Sequence, residues 1–277
     1  LVVDSVFVKL ETTPFFKFFP NKILIGPADL EQVGEGTLRW DEFMDMGYPG
    51  DPIKRHEREE NIPDVILYTS GTTGDPKGAL HAHRAMLGHI PGYELPHDFS
   101  PQPGDLAWTP ADWAWIGGLA NILFSSWFHG IPVLGFRFRR FDPEKAIDLM
   151  EKHRVRNTFL PPTDLKYIRQ LPDLPGRSQN TLRSIMSAGE PLGAEMLQWA
   201  EEALGVKINE MFGQTEVNYF IGNCQTLIPA KPGSMGRSYP GHRAAVLDDS
   251  GNPLPPGETG EIEFYAPGDP VVFLKYW

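Results

Sequence analysis

Residues 142–171 read DPEKAIDLMEKHRVRNTFLPPTDLKYIRQL, and this stretch decides the fold class. Asp142 is a typical helix N-cap, and Pro143 suits the first helical position. The apolar stripe that runs from there to His153 consists of Ala146, Ile147, Leu149 and Met150. These signals predict a helix over 142–153, a strand over 155–160 and a second helix over 163–171.

The same alternation continues downstream. We predict a strand over 182–187, a helix over 191–204 that stops at Gly205, and a strand over 206–211. Alternating strands and helices imply a parallel sheet flanked by helices. Beyond Gly213 the pattern changes to antiparallel strands over 243–247 and 261–265, which flank a turn at 248–252. The prediction is an α/β core over 1–228 and the start of a smaller antiparallel β-rich subdomain over 229–277.

Composition excludes several classes of protein. The 277 residues include 25 Lys and Arg against 36 Asp and Glu, a net charge of −11, and 41% are hydrophobic, so a disordered or fibrous chain is excluded. An acidic surface repels phosphate backbones, so no nucleic-acid partner is expected. The single cysteine, Cys224, cannot form an intrachain disulfide; it suits a packing role and a reducing, cytoplasmic compartment.

Two segments need separate comment. Residues 117–136 carry no charge but contain Asn121 and Pro132, which favours a buried helix and a buried strand over a membrane span. The first 61 residues show little periodicity, and the charged run at 56–60 is typical of a solvated connector. A chain that begins at Leu1 fits either a processed protein or an excised fragment.

The strongest functional signal is the loop YTSGTTGDPKG at 68–78, which follows a predicted strand over 65–68. Its glycines let backbone N–H groups turn inward, its hydroxyls add donors and Lys77 adds a cation, so the loop suits a polyphosphate. Pro76 before Lys77 and Gly78 after it do not fit a Walker loop. The alternative is a flexible surface loop.

The loop resembles the signature of the adenylate-forming superfamily, which includes acyl-CoA synthetases, luciferases and nonribosomal adenylation domains. Two later segments resemble further motifs of the family, and they occur along the chain in the same order as in the family. SAGEPL at 187–192 resembles its adenine-binding turn, and EMFGQTE at 210–216 resembles its adenine, phosphate and magnesium motif. The resemblance covers most of the chain after Gly36 and is closest to short- and medium-chain acyl-CoA synthetases.

The resemblance implies roles for individual residues. Thr215, Glu216 and Lys77 would be catalytic, and Glu216 would also hold Mg²⁺. Contacts with the nucleotide would come from Thr69, Ser70, Gly71, Thr72, Thr73, Gly74, Lys77, Gly189, Glu190, Pro191, Glu210, Met211, Phe212, Gly213, Gln214 and Thr215.

The acyl pocket is implied at two positions. Trp115 matches an aromatic residue that lines the pocket in relatives, although Trp113 and Trp115 could equally form a core pair. Acetyl-CoA synthetases carry a tryptophan cap where this chain has Gly213. An open pocket would favour acids longer than acetate, because each buried methylene contributes about 0.8 kcal/mol.

The implied activity is that of an AMP-forming acyl-CoA ligase in fatty acid metabolism. A short- to medium-chain aliphatic or an aromatic carboxylate would attack ATP to give an acyl-adenylate, and coenzyme A would then form the thioester, with Mg²⁺ as cofactor. The alternatives are an adenylation domain that loads a carrier protein and a non-catalytic nucleotide-binding module. The oligomeric state is not predicted.

The match to the family is partial. The N-terminal part of the large domain is shortened, and the ribose-binding aspartate, the hinge and the mobile C-terminal domain with its adenylation lysine are not matched. Lys231 and Lys275 do not correspond to that lysine. We therefore expect a fragment with weak or no activity of its own.

The remaining polar residues suggest structural roles. His81 and His83 have a spacing unsuited to two metal ligands on one helical face, and His81 is predicted at a helix start. Asp105, Asp112 and Asp164 are interpreted as caps or surface charges rather than acids or bases.

Overall fold

A computed structural model describes residues 2–4, 22–25, 36–47, 61–69, 74–172, 174 and 181–277. The chain divides into two compact units, Leu1–Glu57 and Arg58–Trp277. In the first unit, the strands β1 (Val2–Asp4), β2 (Lys22–Ile25) and β3 (Thr37–Arg39) form a parallel sheet, and the helix α1 (Trp40–Asp45) follows β3. The predicted connector at 56–60 lies outside the described residues.

The second unit contains the elements that build the cavity described below. Its strands are β4 (Pro63–Thr69), β5 (Lys77–Ala82), β6 (Ala107–Trp108), β7 (Asn157–Phe159), β8 (Ser184–Ser187), β9 (Ile208–Gln214), β10 (Asn218–Gly222), β11 (Arg237–Ser238), β12 (Ala244–Leu247), β13 (Glu261–Phe264) and β14 (Lys275–Tyr276). Its helices are α2 (Arg84–Gly88), α3 (Ile90–Glu94), α4 (Ile116–Gly118), a π-helical segment (Leu119–Phe124), α5 (Ser125–Phe128), α6 (Pro143–His153), α7 (Pro162–Ile168) and α8 (Ala194–Leu204).

The main sheet has the strand order β11–β10–β9–β8–β7–β6. Strands β6 to β9 are parallel, whereas β10 and β11 are antiparallel to their neighbours. This arrangement confirms the predicted α/β fold with a parallel sheet. The antiparallel pair β12–β13 confirms the later change of pattern, and β14, β5 and β4 form a further sheet. The division between residues 228 and 229 stays a prediction.

Helix α6 has the predicted ends. The Asp142 side chain accepts a hydrogen bond from the backbone N–H of Lys145 at 3.1 Å, and the helix ends at Arg154 in the left-handed conformation. The stripe residues Ala146, Ile147 and Met150 are buried in the largest apolar cluster, which packs beside the sheet. Local capping and a core-facing stripe therefore determine this helix together.

Loss of the cap has a measurable cost. Asp142→Ala leaves the Lys145 N–H without its side-chain partner, and we expect the free energy of unfolding to fall by about 1 kcal/mol. Urea denaturation measures this change. Asp142→Asn keeps an acceptor at the same position and is expected to lose less than half as much. Equal losses in the two variants would contradict the capping role.

Some predicted bounds are wrong. Helix α8 begins at Ala194 rather than at residue 191, because Gly193 has φ +81° and ψ 153°, which lie outside the helical region. The predicted elements over 155–160, 163–171 and 182–187 are shorter in the structure, whereas the strand predicted over 206–211 extends to Gln214 as β9.

The apolar stretch 117–136 is helical to Phe128, but the strand predicted after the helix is reduced to a single bridge between Val133 and Ala107. At this bridge the Ala107 N–H donates to the Pro132 carbonyl and the Leu134 N–H donates to the Ala107 carbonyl. Burial is incomplete, because Trp127 and Phe128 are exposed. Among the described residues, no helix has both the length and the apolar character needed to cross a bilayer.

Candidate active site

A cavity of about 570 Å³ opens at the carboxyl ends of strands β7, β8 and β9. Phe159 ends β7, Gly189 lies in the turn after β8, and residues 210–214 belong to β9 itself. Trp115 contributes a further wall, with its ring centroid 5.8 Å from that of Phe159. Ligands of open α/β sheets commonly bind at this end of parallel strands.

Hydrogen bonds to helix α7 and to strand β9 hold the turn that follows β8. Gly189 adopts φ +100°, which favours glycine. The Glu190 carboxylate accepts hydrogen bonds from the Thr163 hydroxyl at 2.8 Å and from the Lys166 ammonium at 3.4 Å, and these contacts lower its pKa. The Leu192 N–H donates to the Glu210 carboxylate at 3.1 Å, which ties the turn to β9. Burial raises the pKa of Glu210.

In this chain, the hairpin formed by β9 and β10 leaves no room for a side chain at position 213. A Cβ atom at Gly213 would lie 1.7 Å from the Asn218 carbonyl oxygen, so a side chain there collides with the backbone of β10. Gly213 lines the cavity, but the close approach of the two strands already accounts for the residue type. The prediction that its missing side chain selects longer acids stays a prediction.

The ends of the predicted phosphate loop are brought together. Thr69 and Lys77 pair with each other at the end of the antiparallel ladder between β4 and β5 that the loop connects. Gly74 and the Lys77 side chain are exposed. Ser70–Thr73 lie outside the described residues.

Tyr276 connects two of the predicted catalytic residues. Its hydroxyl donates a hydrogen bond to the Glu216 carboxylate at 2.6 Å, and the Lys77 ammonium lies 5.4 Å from the centroid of its ring. The contact with the Glu216 carboxylate raises the pKa of the Tyr276 phenol. The Phe273 N–H donates to the Glu216 carbonyl at 2.9 Å. The sequence carries no signal for this pairing, because the two side chains are 60 residues apart.

His81 lies in a different element from the predicted one. It belongs to strand β5, and helix α2 begins only at Arg84. The Nε2 atom of His81 lies 2.8 Å from the Thr215 carbonyl oxygen, and because a carbonyl only accepts, Nε2 donates. Burial lowers the pKa of the ring, which favours the neutral form. His81 therefore positions the backbone of Thr215.

The two tryptophans do not form a core pair. Trp113 is 38% exposed and Trp115 is 43% exposed, and Trp115 lines the cavity. Asp112 does not cap a helix, because helix α4 has Trp115 at its N-cap position; it is an exposed charge whose carboxylate accepts from the Ala114 N–H at 2.8 Å in the preceding turn. Asp164 lies in the first turn of α7, where burial and then the Glu190 charge raise its pKa to about 6.

Asp105 and Cys224 are both buried. The Asp105 side chain is 1% exposed and forms an ion pair with Arg183, so its interpretation as a surface charge is wrong. Cys224 packs in an apolar cluster with its sulfur 3.4 Å from Asp98, and burial raises the pKa of its thiol. The predicted packing role of Cys224 is confirmed.

The donor set near Glu216 fits Mg²⁺ bound together with a phosphate ligand. Among the described residues, no group of three or more His, Cys, Asp or Glu side chains could hold a metal ion. Mg²⁺ keeps several waters and is commonly held by one or two carboxylates plus substrate phosphates. The single carboxylate of Glu216 matches that requirement.

A cavity at the carboxyl ends of a parallel sheet, with a glycine turn on one side and a polar strand end on the other, defines a nucleotide-binding type of α/β protein. The chain belongs to the family of AMP-binding enzymes, whose family model matches residues 23–277. The resemblance to the adenylate-forming superfamily is thereby confirmed.

Two curated relatives illustrate the similarity. The uncharacterized acyl-CoA ligase YtcI of Bacillus subtilis is 29% identical over 88% of this chain and 46% of its own length. The mitochondrial acyl-coenzyme A synthetase ACSM4 of Homo sapiens is 34% identical over 87% of this chain and 40% of its own length. The chain therefore spans less than half the length of these relatives.

Solved structures share the fold. The anthranilate CoA ligase AuaEII, in complex with anthranoyl-AMP, has a TM-score of 0.86 at 24% identity. The match covers all of this chain and 52% of the AuaEII chain. ATP-bound MatB from Rhodopseudomonas palustris has a TM-score of 0.73 at 26% identity, over 95% of this chain and 53% of its own.

Proposed function

We propose that the chain is the nucleotide- and acyl-binding part of an AMP-forming acyl-CoA ligase for short- to medium-chain aliphatic or aromatic carboxylic acids. The observation that carries the proposal is a single cavity lined by Trp115, by the turn at 188–193 and by residues 210–215. Family membership and the names of the relatives support it. We also propose a cytoplasmic location.

The proposed reaction has two steps. A carboxylate oxygen of the acid attacks the α-phosphorus of ATP, the bond from that phosphorus to the bridging oxygen breaks, and pyrophosphate leaves with both electrons. The sulfur of coenzyme A then attacks the acyl carbon, AMP leaves, and the thiol proton passes to solvent. The chain supplies positioning and electrostatic stabilisation rather than a nucleophile.

The residues near the cavity have distinct proposed roles. The Thr215 hydroxyl donates to an oxygen of the α-phosphate, and the exposed Lys77 ammonium balances phosphate charge beside the loop at 69–74. The turn at 189–191 and residues 210–214 contact the adenine. The Glu216 carboxylate holds Mg²⁺, which when bound would neutralise phosphate charge. His81 orients Thr215 through its carbonyl.

The test is carboxylate-dependent exchange between ATP and pyrophosphate. The assay uses acids from acetate to decanoate plus benzoate, with this chain and with the product of the complete natural reading frame. We expect exchange by the longer product, a best acid longer than acetate, and little or no exchange by this chain. Coenzyme A is then compared with a carrier protein as the acyl acceptor.

Other outcomes overturn separate parts of the proposal. Binding of ATP without exchange on any acid would favour a non-catalytic nucleotide-binding module. Acetate as the best acid would remove the argument from Gly213. Equal exchange by the two proteins would contradict the expected inactivity of this chain.

A further inference from the structure

The inner end of the cavity is polar. Asn121, Asn218 and Tyr219 line it, and they are 4%, 4% and 2% exposed. The rings of Trp115 and Phe159 add apolar walls. A pocket built only for an alkyl chain would have no use for buried amide groups at its inner end, because unpaired polar groups are costly there.

The two asparagines leave hydrogen-bonding capacity unused. The Asn218 amide nitrogen donates to the Asn121 amide oxygen at 2.9 Å. One NH₂ group and one carbonyl group of the pair remain after this bond, and exchanging the two amide orientations leaves the same two kinds of group. Neither remaining group bonds another protein group in the described part of the chain. The pair can therefore offer one donor and one acceptor to a ligand.

Tyr219 lines the cavity with its ring rather than with its hydroxyl. The hydroxyl is fully buried and interacts with the Ser125 hydroxyl, so it is not exposed to a ligand in the cavity. The ring packs closely against the backbone of Gly92, where an added Cβ atom would lie only 2.2 Å from the ring. The centroid of the His89 ring lies 6.1 Å from that of the Tyr219 ring. Both nitrogens of His89 are buried without a partner among the described residues, and burial lowers the pKa of His89 to about 3, which keeps the ring neutral.

Asn121 lies in a backbone conformation that is rare in proteins. Asn121 belongs to the π-helical segment Leu119–Phe124, and such segments are rare and concentrate at functional sites. The Ser125 hydroxyl donates to the Ala120 carbonyl at 2.6 Å and so satisfies a backbone acceptor within the segment. The local geometry thus places a polar side chain at the cavity in a stretch that is otherwise apolar.

The charged residues around the cavity limit the charge of the substituent that the acid can carry. Its only charged lining residues among those described are Glu190 and Glu210. No lining lysine or arginine in the described part of the chain could pair with a second carboxylate. An anionic group there would have no cationic partner, and the asparagine pair offers one donor and one acceptor rather than a charge, so the polar group that it recognises is expected to be neutral.

We infer that the acid substrate carries a neutral hydrogen-bonding substituent, such as a hydroxyl or an amino group on an aromatic ring, at the end remote from its carboxylate. Asn121 and Asn218 recognise that substituent through the NH₂ and carbonyl groups that their mutual hydrogen bond leaves, and the aromatic walls enclose the part between. This inference rests on the proposed function and narrows its substrate class from plain alkyl or aryl acids to polar-substituted ones.

The test compares acids of equal size that differ in one group. The complete protein is assayed by ATP–pyrophosphate exchange with 5-hydroxypentanoate against hexanoate and with 4-hydroxybenzoate against 4-methylbenzoate. We expect kcat/KM to favour the hydroxyl compound by about tenfold or more in at least one pair. The ratio within a pair does not depend on how much of the protein is active. A preference for the methyl compound, or no preference, in both pairs would overturn the inference.

Variants separate recognition from stability. Asn121→Leu keeps the side-chain size and removes the amide, so the preference is expected to fall to about one. The control is Asn209→Leu, which removes a buried amide that bonds the Pro96 carbonyl outside the cavity and should keep the preference. If Asn121→Leu does not fold, the wild-type ratios decide. Exchange on none of the acids overturns the proposed function itself, whereas exchange with the opposite preference overturns only this inference.

Discussion

If the proposed function holds, we expect the replacement of Glu216 with glutamine to lower carboxylate-dependent ATP–pyrophosphate exchange in the complete protein by about 100-fold or more. The variant removes the negative charge that we assign to Mg²⁺ binding and keeps the size of the side chain. Its amide oxygen can still accept the hydrogen bond from Tyr276, so the local structure is expected to persist. The measurement is the exchange rate at saturating acid over a series of Mg²⁺ concentrations.

Tyr276→Phe is the matched control. It removes the 2.6 Å hydrogen bond to Glu216 but keeps the carboxylate charge. Because Tyr276 is 45% exposed, its hydrogen bond competes with water and contributes at most about 1.5 kcal/mol, so we expect a loss of about tenfold or less, mainly as a higher Mg²⁺ requirement. A Glu216→Gln protein that exchanges at close to the wild-type rate would contradict the role of this carboxylate.

We expect the replacement of Arg183 with methionine to lower the free energy of unfolding by about 2–3 kcal/mol, because Arg156 and hydrogen bonds from Ser100 and Gln102 still compensate part of the Asp105 charge. Arg183 binds Asp105 through two hydrogen bonds, of 3.0 Å from Nε and 2.8 Å from Nη2. The Asp105 side chain is 1% exposed, so the variant leaves a buried carboxylate without its main partner. Urea denaturation at neutral pH measures the change.

An exposed ion pair provides the control. Lys207 lies 3.5 Å from Glu201, and the two side chains are 53% and 58% exposed. Lys207→Met is expected to change stability by less than about 1 kcal/mol, because solvent screens the pair. Equal effects of Lys207→Met and Arg183→Met would show that burial of Asp105 does not matter.

The ion pair also predicts a dependence on pH. Burial alone would raise the pKa of Asp105, but the Arg183 and Gln102 hydrogen bonds bring it below its ordinary value. A lowered pKa in the folded state stabilises the protein above the unfolded value, about 3.9 for aspartate, and that contribution is lost as the pH falls through the folded value. The stability difference between wild type and Arg183→Met should therefore shrink below about pH 4.

Local patterns predicted the elements whose signals are local. Helix α6 has its cap, its proline and its apolar stripe within one short stretch, and β4 leads into the glycine-rich loop as predicted. His81 was misplaced because a short apolar segment after a loop suits either a strand or a helix. Pairing with β4, a tertiary contact, determines the strand.

The missed features of the site depend on contacts between distant residues. Asp105 and Arg183 are 78 residues apart, Asn121 and Asn218 are 97 apart, and His81 reaches the Thr215 carbonyl across 134. Periodicity gives no information about such pairs. Asn121 stood out only as one polar residue in an apolar stretch, and neither its π-helical setting nor its partner could be derived from its neighbours.

The most direct test of the central claim is a crystal structure of the complete protein with a non-hydrolysable acyl-adenylate, such as 5′-O-(N-hexanoylsulfamoyl)adenosine. We predict that the adenine lies against the turn at 189–192, that the sulfamoyl group contacts Thr215, and that the acyl chain passes Trp115 toward Asn121 and Tyr219. An analogue that binds outside this cavity, or that fills it without contacting Thr215, would contradict the account.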